Sequence, residues 1–146
     1  MRWTRVERRL SMLQWVCRAV ITLTAFILLT AMGTTGGFEK APRVEKNFAV
    51  IITDASGSKI AGEKFSAEGR IYFSGYLGMA QVMMPFDRVR ELTVGEFQDR
   101  KAKVLVKLID GTQASFEIDS KTRCYGEANF GSFMLTISEI KTIVFK

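Results

Sequence analysis

The sequence predicts an all-β protein in which two tandem copies of a roughly five-stranded antiparallel unit follow one N-terminal hydrophobic helix. The first observation behind this prediction is an internal repeat, because the pattern of residues 75–94 returns without a gap at residues 126–145, fifty-one positions later. The apolar positions of the two segments coincide, and two positions are identical: Gly75/Gly126 and Met83/Met134. The second observation is that no stretch after Phe38 shows helical periodicity, whereas several short runs alternate apolar and polar residues as half-buried strands do.

Each copy contains about five predicted strands. In the first copy, residues 47–95, the predicted strands are residues 47–53, 59–65, 69–74, 81–86 and 89–94. In the second copy, residues 96–146, they are residues 103–109, 112–118, 122–126 and 132–137, with a last strand that ends at Phe145. The strands could close into one joint barrel or sandwich, or into two separate barrels of the size of small SH3-like or Sm-like domains.

Two local signals add detail to this prediction. The pair Asp110-Gly111 stands between two β-rich runs, and such a pair favours a type I′ hairpin in which both central residues have positive φ. Pro85 has no N–H to donate, so the strand that contains it is expected at an edge of the sheet.

Residues 1–33 are interpreted as a signal peptide or an N-terminal membrane anchor. This segment carries a net charge of +4 and an apolar run of 14 residues, Ala19–Met32. The run suits the central region of a signal peptide and is short for a membrane-spanning helix, and small residues favour cleavage after Gly33. The alternative is an uncleaved inner-membrane anchor. In both cases the arginines stay in the cytoplasm by the positive-inside rule, so we expect the β body, joined by a linker at residues 34–46, to be periplasmic, secreted or held outside the cytoplasm.

The composition excludes several chemistries. Most of the net charge of +6 belongs to the N-terminal segment, and residues 34–146 carry only +2, which removes the main argument for a nucleic-acid partner. The sequence contains no histidine, the commonest metal ligand and general base. Of its two cysteines, Cys17 lies in the leader, so Cys124 is interpreted as a small buried core thiol rather than a nucleophile. We therefore predict no catalytic residue, no metal ligand and no bound cofactor.

These observations favour an exported, non-catalytic envelope module that binds or scaffolds another component, either a protein or a polysaccharide. Apolar residues cluster at residues 76–84 and 130–135 of the two copies, and because the same positions are apolar in both, most of them are interpreted as core. Tyr76, Leu77 and Met79 are the candidate partner-binding residues, since the equivalents of the first two, Glu127 and Ala128, are not similarly apolar. The membrane is a further partner if the N-terminal segment is not cleaved.

Two alternatives belong to other functional classes. One is an exported enzyme that acts on glycans with carboxylates in a cleft between the copies, and the residues to replace would be Asp87, Glu91, Asp110 and Glu117. The other is a small-barrel binder of nucleotides or nucleic acid, which would require the body to face the cytosol.

Overall fold

Ten antiparallel strands and two short 3₁₀ turns make up residues 44–146, the part of the chain that the computed structural model describes. The first five strands are β1 (Val50–Asp54), β2 (Lys59–Ala67), β3 (Tyr72–Leu77), β4 (Ala80–Pro85) and β5 (Val89–Gln98). The second five are β6 (Lys101–Leu108), β7 (Gln113–Asp119), β8 (Arg123–Ala128), β9 (Gly131–Thr136) and β10 (Ile140–Phe145). The 3₁₀ turns are Phe86–Arg88 and Ile137–Glu139.

The predicted fold class is confirmed for these residues. The predicted N-terminal hydrophobic helix, its cleavage position and the linker up to residue 43 lie outside the described residues. Within residues 44–146, no helix has the length and apolar character needed to cross a membrane.

The internal repeat of the sequence is also a repeat of structure. Four elements of the first copy recur fifty-one residues later in the second: β3 as β8, β4 as β9, the first 3₁₀ turn as the second, and the start of β5 as β10. The first residues of each pair are separated by the same fifty-one positions. Strand β1 corresponds to β6 at the same offset, and β2 corresponds to β7 at an offset of fifty-four residues. The copies therefore have five strands each, as the sequence predicts.

All ten strands belong to one curled sheet, whose order is β4-β3-β7-β6-β5-β10-β1-β2-β8-β9. When each strand is replaced by its equivalent in the other copy (β1 by β6, β2 by β7 and so on), the same order is obtained, read from the opposite end of the sheet. The sheet therefore has a pseudo-twofold axis between its two central strands, β5 and β10. The axis passes between Leu92 and Ile143, which are equivalent residues and also face each other in the register.

The two halves of the sheet do not coincide with the two copies of the sequence. One half contains β6 and β7 of the second copy together with β3, β4 and β5 of the first, and the other half has the reverse composition. The hairpin β3–β4 reaches across to β7 through the pair Tyr76↔Glu117, and β8–β9 reaches across to β2 through Glu63↔Glu127. The ten strands of residues 44–146 form one joint unit rather than two separate barrels, but the sheet is a curled half-barrel whose outer strands do not pair with each other, so the closed barrel or sandwich is not formed.

The core lies inside the curl of the sheet and is built around phenylalanines. Phe65 on β2 and Phe73 on β3 are fully buried with ring centroids 6.2 Å apart, although their strands are six places apart in the sheet. The ring of Phe86, from the first 3₁₀ turn, packs against both, at 5.3 Å from Phe65 and 4.7 Å from Phe73. This cluster holds the curl together, because apolar burial is the dominant favourable term in folding.

The outermost strands of the sheet are β4 and β9. The edge position predicted from Pro85 is confirmed. Phe86 donates its N–H to the carbonyl oxygen of Ile71, the residue just before β3. Alternation along the ladder therefore turns the backbone N position of Pro85 outward, where a missing N–H does not break a bond to β3. At the equivalent position Thr136 has an N–H, and it donates to Glu139 Oε2 at 2.8 Å.

The type I′ turn predicted at Asp110-Gly111 is wrong. The loop has three residues rather than two, because Leu108 N–H donates to Thr112 O and Gly111 N–H donates to Leu108 O. Only Gly111 has positive φ (88°), as in a type I turn followed by a bulge, and the Asp110 carboxylate stabilises the loop by accepting from Thr112 N and Oγ1. Both residues of a two-residue turn have positive φ instead at Glu68-Gly69 (50° and 74°).

The two halves fill equivalent places in the core with aromatic rings from different strands. In one half the ring of Phe116 on β7 packs against Gly75 of β3. In the other half the position equivalent to Phe116 is Gly62, and the space is filled by Phe133 of β9. A Cβ on Gly62 would lie 2.6 Å from Phe133 Cε1, so the glycine is required there by the ring above it.

Candidate functional site

The three residues predicted to bind a partner lie together at the end of the β3–β4 hairpin. Leu77 pairs with Ala80 across a two-residue loop, Gly78-Met79, and Gly78 has the left-handed φ of 60° that Gly readily adopts at the first position of such a loop. The side chains of Tyr76 and Leu77 are largely exposed, and Met79 is fully exposed. We call Tyr76, Leu77 and Met79 the tip surface. Single exposed apolar residues are common in proteins, so a binding site needs a further feature beside exposure.

The interpretation of the other apolar residues as core is wrong for three of them. Met83, Phe130 and Met134 are 61%, 71% and 52% exposed. These positions are apolar in both copies, but the structure shows that they are exposed in both hairpins and not packed in the core. Strand alternation separates the groups, since Val82 and Met84 on the inner face of β4 do pack against the core.

A groove of about 530 Å³ lies beside the tip surface. It is open to solvent, and its walls are the end of the β3–β4 hairpin, the outer face of β7 and the β5–β6 hairpin. The lining residues are Tyr76, Leu77, Gly78, Glu96, Phe97, Gln98, Lys101, Lys103, Ser115, Phe116 and Glu117. Two exposed aromatic rings, Tyr76 and Phe97, therefore belong to the same concave surface. We call this the first groove.

Charged groups organise the floor of the first groove. Lys101 Nζ lies 2.9 Å from Glu117 Oε2 and 5.8 Å from the centroid of the Tyr76 ring, so the lysine joins the carboxylate to the aromatic ring. The hydrogen bond and the charge of Glu117 raise the pKa of Lys101 above its ordinary value. Lys103 faces Glu117 in the register but makes no ion pair with any described residue. Two lysines and two glutamates leave the groove without net charge.

The pseudo-twofold axis produces a second groove with different chemistry. This groove has a volume of about 600 Å³ and includes Ala61, Gly62, Glu63, Glu127, Ala128 and Asn129 among its lining residues. Tyr76 and Leu77 of the first groove are replaced by Glu127 and Ala128. Glu127 is held by Lys64, with Nζ 2.7 Å from Oε2. The fold thus provides the same concave shape twice. Two exposed aromatic rings, Tyr76 and Phe97, line the first groove, and one, Phe130, lines the second.

The structure does not bring together the four carboxylates considered for catalysis. Glu117 lines the first groove, and Asp87 and Asp110 do not. Asp87 lies in a 3₁₀ turn with its Oδ2 3.6 Å from Lys46 Nζ, and Asp110 bonds within its own turn. Glu91 faces Val144 and Lys107 in the middle of the sheet.

Cys124 is fully buried in the core on β8. Burial, with a smaller contribution from the negative charge of Glu68, raises the pKa of the Cys124 thiol far above its ordinary value. The thiolate that a nucleophilic or ligating cysteine requires is therefore disfavoured, which agrees with a structural thiol. In the part of the chain that the structure describes, no three histidine, cysteine, aspartate or glutamate side chains are grouped in a way that could hold a metal ion.

Sequence reasoning missed most residues of the first groove, among them Glu96, Phe97, Lys101 and Lys103. Alternation along β6 would have placed the two lysines on the outer face with Glu117. Phe97 gave no local signal, because a bulge between Val94 and Phe97 interrupts the pairing of β5 with β6.

The fold and this surface define a class, namely an all-β protein with two interleaved copies of one unit and two related grooves, the first of which carries two exposed aromatic rings. Residues 44–146, which include all ten strands, match the model of a family described as "Uncharacterised protein", and the chain belongs to that family. It is also similar to a protein of Aquifex aeolicus (strain VF5) with the description "Uncharacterized protein". The two are 24% identical over 120 residues, or 82% of this chain and 89% of the Aquifex aeolicus protein.

Proposed function

We propose that this protein is an exported, non-catalytic module of the cell envelope that binds or scaffolds another envelope component, and that the tip surface and the first groove form its contact site. The observation that carries the proposal is the difference between the two grooves. The fold duplicates the concave shape, but the first groove is lined by two exposed aromatic rings, Tyr76 and Phe97, beside Lys101 and Glu117, whereas the second has one exposed ring, Phe130. Tyrosine and phenylalanine with a few charged neighbours are typical of a recognition surface.

The geometry of the first groove supports binding of an elongated ligand. The groove runs beside strand ends and is open to solvent, so a polypeptide segment or a glycan chain can lie along it without entering a closed cavity. Tyr76 and Phe97 offer flat apolar faces, and Lys103 and Gln98 offer donors for hydrogen bonds. Lys101 and Glu117 satisfy each other, so they fix the position of the Tyr76 ring rather than adding free charge.

The proposed location rests on the N-terminal sequence. The arginine-rich start and the apolar run of residues 19–32 are typical of export signals, and they support a location of the β body outside the cytoplasm. A topology reporter fused after Lys146 tests this directly. A reporter that works only outside the cytoplasm supports export, and activity only inside the cytoplasm refutes it.

The contact site is tested by site-specific photo-crosslinking of the full chain in intact cells. A crosslinking amino acid at position 79 should capture a defined envelope protein or a glycan, the latter recognised by carbohydrate staining of the product. The same amino acid at position 130, the equivalent tip of the second copy, is the matched control and should not capture that product. Identical products from both positions, or none from position 79, would contradict the proposed site.

The residues of the groove are tested with a second matched pair. Leu77→Lys should abolish the crosslink from position 79, because it places a charge on the apolar wall of the groove. Ala128→Lys makes the same change at the equivalent position and should leave the crosslink unaffected. Loss of the crosslink in both variants would show that the effect is not specific to the first groove.

A further inference from the structure

We propose that the two outer strands, β4 and β9, pair with outer strands of a second copy of this chain, so that the sheet continues from one molecule into the next. This inference does not rest on the proposed function. It concerns the edges of the sheet, whereas the proposed contact site is the tip surface and the first groove.

The backbone of both outer strands is open on one side. Each strand has six residues, and within residues 44–146 β4 pairs only with β3, and β9 only with β8. Alternation along the ladders turns the N–H groups of Gln81, Met83, Ser132 and Met134 outward, away from the neighbouring strand. A row of unpaired N–H and C=O groups is a template for pairing with another strand.

The outer strands lack the charges that usually prevent such pairing. Neither Ala80–Pro85 nor Gly131–Thr136 contains a lysine, arginine, aspartate or glutamate. Natural edge strands are commonly protected by lysine, proline, bulges or covering segments. Here Pro85 and the bond from Thr136 N to Glu139 block only the last outward N–H of each strand. The charged residues of the outer face lie on interior strands such as β6 instead, the reverse of the protective arrangement.

A second copy is the occupant that these edges fit best. Because neither edge carries charge, two edges can approach without repulsion, and neither edge offers a charge that would select an ionic partner. The pseudo-twofold axis also makes the edges match, since exposed Met83 and Met134 occupy equivalent positions beside the open backbone. With ten alternating strands, β4 and β9 run in opposite directions, so β9 of one molecule beside β4 of the next continues the antiparallel order.

The molecule already shows that its repeated unit associates by strand pairing. Strands β5 and β10 are equivalent strands of the two copies, and they pair directly across the pseudo-twofold axis. Edge pairing between molecules would repeat this kind of contact at the outer ends of the sheet. It also produces interfaces at both ends, so that more than two molecules can join.

Sedimentation of the purified full chain in a mild detergent tests the proposal. The wild-type chain should self-associate as its concentration rises. The double variant Met83→Lys/Met134→Lys should weaken self-association at least about tenfold, because it places a positive charge on both edges, and these charges repel each other where two edges meet. Ile109→Lys is the matched control, since Ile109 is a similarly exposed apolar residue (57%) in the β6–β7 loop, and it should associate like the wild type.

A measurement on the wild-type chain makes the test independent of how the variants fold. Hydrogen exchange at the amides of Met83 and Met134 should slow as protein concentration rises, while exchange in the β6–β7 loop should not change. Three results would each overturn the proposal. The wild-type chain could stay monomeric, the double variant could associate as well as the wild type, or the exchange rates of the outer-strand amides could be independent of protein concentration. Equal loss of association in the Ile109→Lys control would also overturn it.

Discussion

Replacing Gly62 by alanine tests how the core of the second half is packed. Gly62 lies on β2, opposite Val50, and the ring of Phe133 lies over it. A Cβ at this position would come within 2.6 Å of Phe133 Cε1 and 2.8 Å of Cζ, about 0.8 Å and 0.6 Å inside ordinary contact distance. The next nearest atom, the carbonyl oxygen of Glu127, would be at 3.5 Å, which is ordinary contact. The obstacle is therefore the ring and not the backbone.

The magnitude follows from this geometry. Gly62→Ala should lower the free energy of unfolding by about 1–3 kcal/mol, the usual cost of forcing an extra methyl group into a packed core. Phe133→Val removes the ring and gives the residue found at the equivalent position, Val82, and it should cost a similar amount through lost burial. In the Phe133→Val protein the space above Gly62 is open. There Gly62→Ala should stabilise by about 0.4–1 kcal/mol, because alanine restricts the unfolded chain more than glycine does.

The assay is urea unfolding of the four proteins in this cycle, followed by far-ultraviolet circular dichroism. Circular dichroism is chosen because residues 44–146 contain no tryptophan. The coupling between the two substitutions should fall in the range of about 0.5–3 kcal/mol that contacting residues show. Additive costs, or an alanine that destabilises both backgrounds equally, would refute the packing argument.

Gly75→Ala provides the matched contrast in the other half. Its Cβ would collide with the backbone carbonyl oxygen of Glu117 as well as with the ring of Phe116. Because β3 pairs with β7 there and the two backbones lie close together, shortening a side chain does not relieve the backbone collision. We expect Gly75→Ala to stay destabilising in the Phe116→Val protein, so a full rescue there would show that the distinction between the two glycines is wrong.

Three further predictions concern single residues. With Cys17→Ser to leave one thiol, Cys124 should react with a thiol reagent only in step with unfolding, because burial raises the pKa of the thiol and excludes the reagent; rapid labelling of the folded chain would contradict this. Partial burial tends to raise the pKa of Glu68, but hydrogen bonds from the backbone N–H and side chain of Arg123 and its positive charge outweigh this and lower it. The stabilisation is thus present above the ordinary pKa of glutamate, about 4.3, and lost as the pH falls below it. In the Glu68→Gln protein the free energy of unfolding should fall less on acidification than in the wild type, by a difference of less than about 1 kcal/mol. An unchanged dependence of the free energy of unfolding on pH would count against the ion pair. Ser66 is fully buried and its hydroxyl has no hydrogen-bond partner among the described residues, so Ser66→Ala should raise the free energy of unfolding by about 1 kcal/mol in urea titrations; a clear loss of stability would show that the hydroxyl has a role.

The sequence was sufficient to predict the fold class, the number of strands and the edge position of β4. These features depend on local signals, namely alternation, turn residues and the missing N–H of Pro85. The exchange of hairpins between the copies could not be predicted in this way. It depends on β3 pairing with β7 rather than β2, and these strands are separated by more than thirty residues of chain with no local signal for either choice.

The candidate site was predicted in part. Tyr76 and Leu77 stood out because their equivalents differ, and the structure places them in a groove. Met83 and Phe130 were misinterpreted as core, since apolar residues shared by two copies are equally compatible with shared exposure. The sequence comparison also did not reveal that Gly62 is equivalent to Phe116 and that Phe133 compensates for the missing ring. The copies are offset by fifty-four residues there and by fifty-one at Phe133, so an ungapped comparison does not align the compensating positions.

The interleaving of the copies bears on how such a chain can originate. A polypeptide that contained only the equivalents of β1 to β5 would present a two-strand ribbon with no hairpin to cover it, and a hairpin with no ribbon to receive it. Two identical molecules could complete each other's sheets, because the hairpin of each would pair with the two-strand ribbon of the other. The present chain then corresponds to a fusion of two such molecules into one polypeptide, in which the turn between Gln98 and Lys101 joins the two copies. Once the partners are fused, neither half of the gene product has to find the other, and each groove is free to change its chemistry separately.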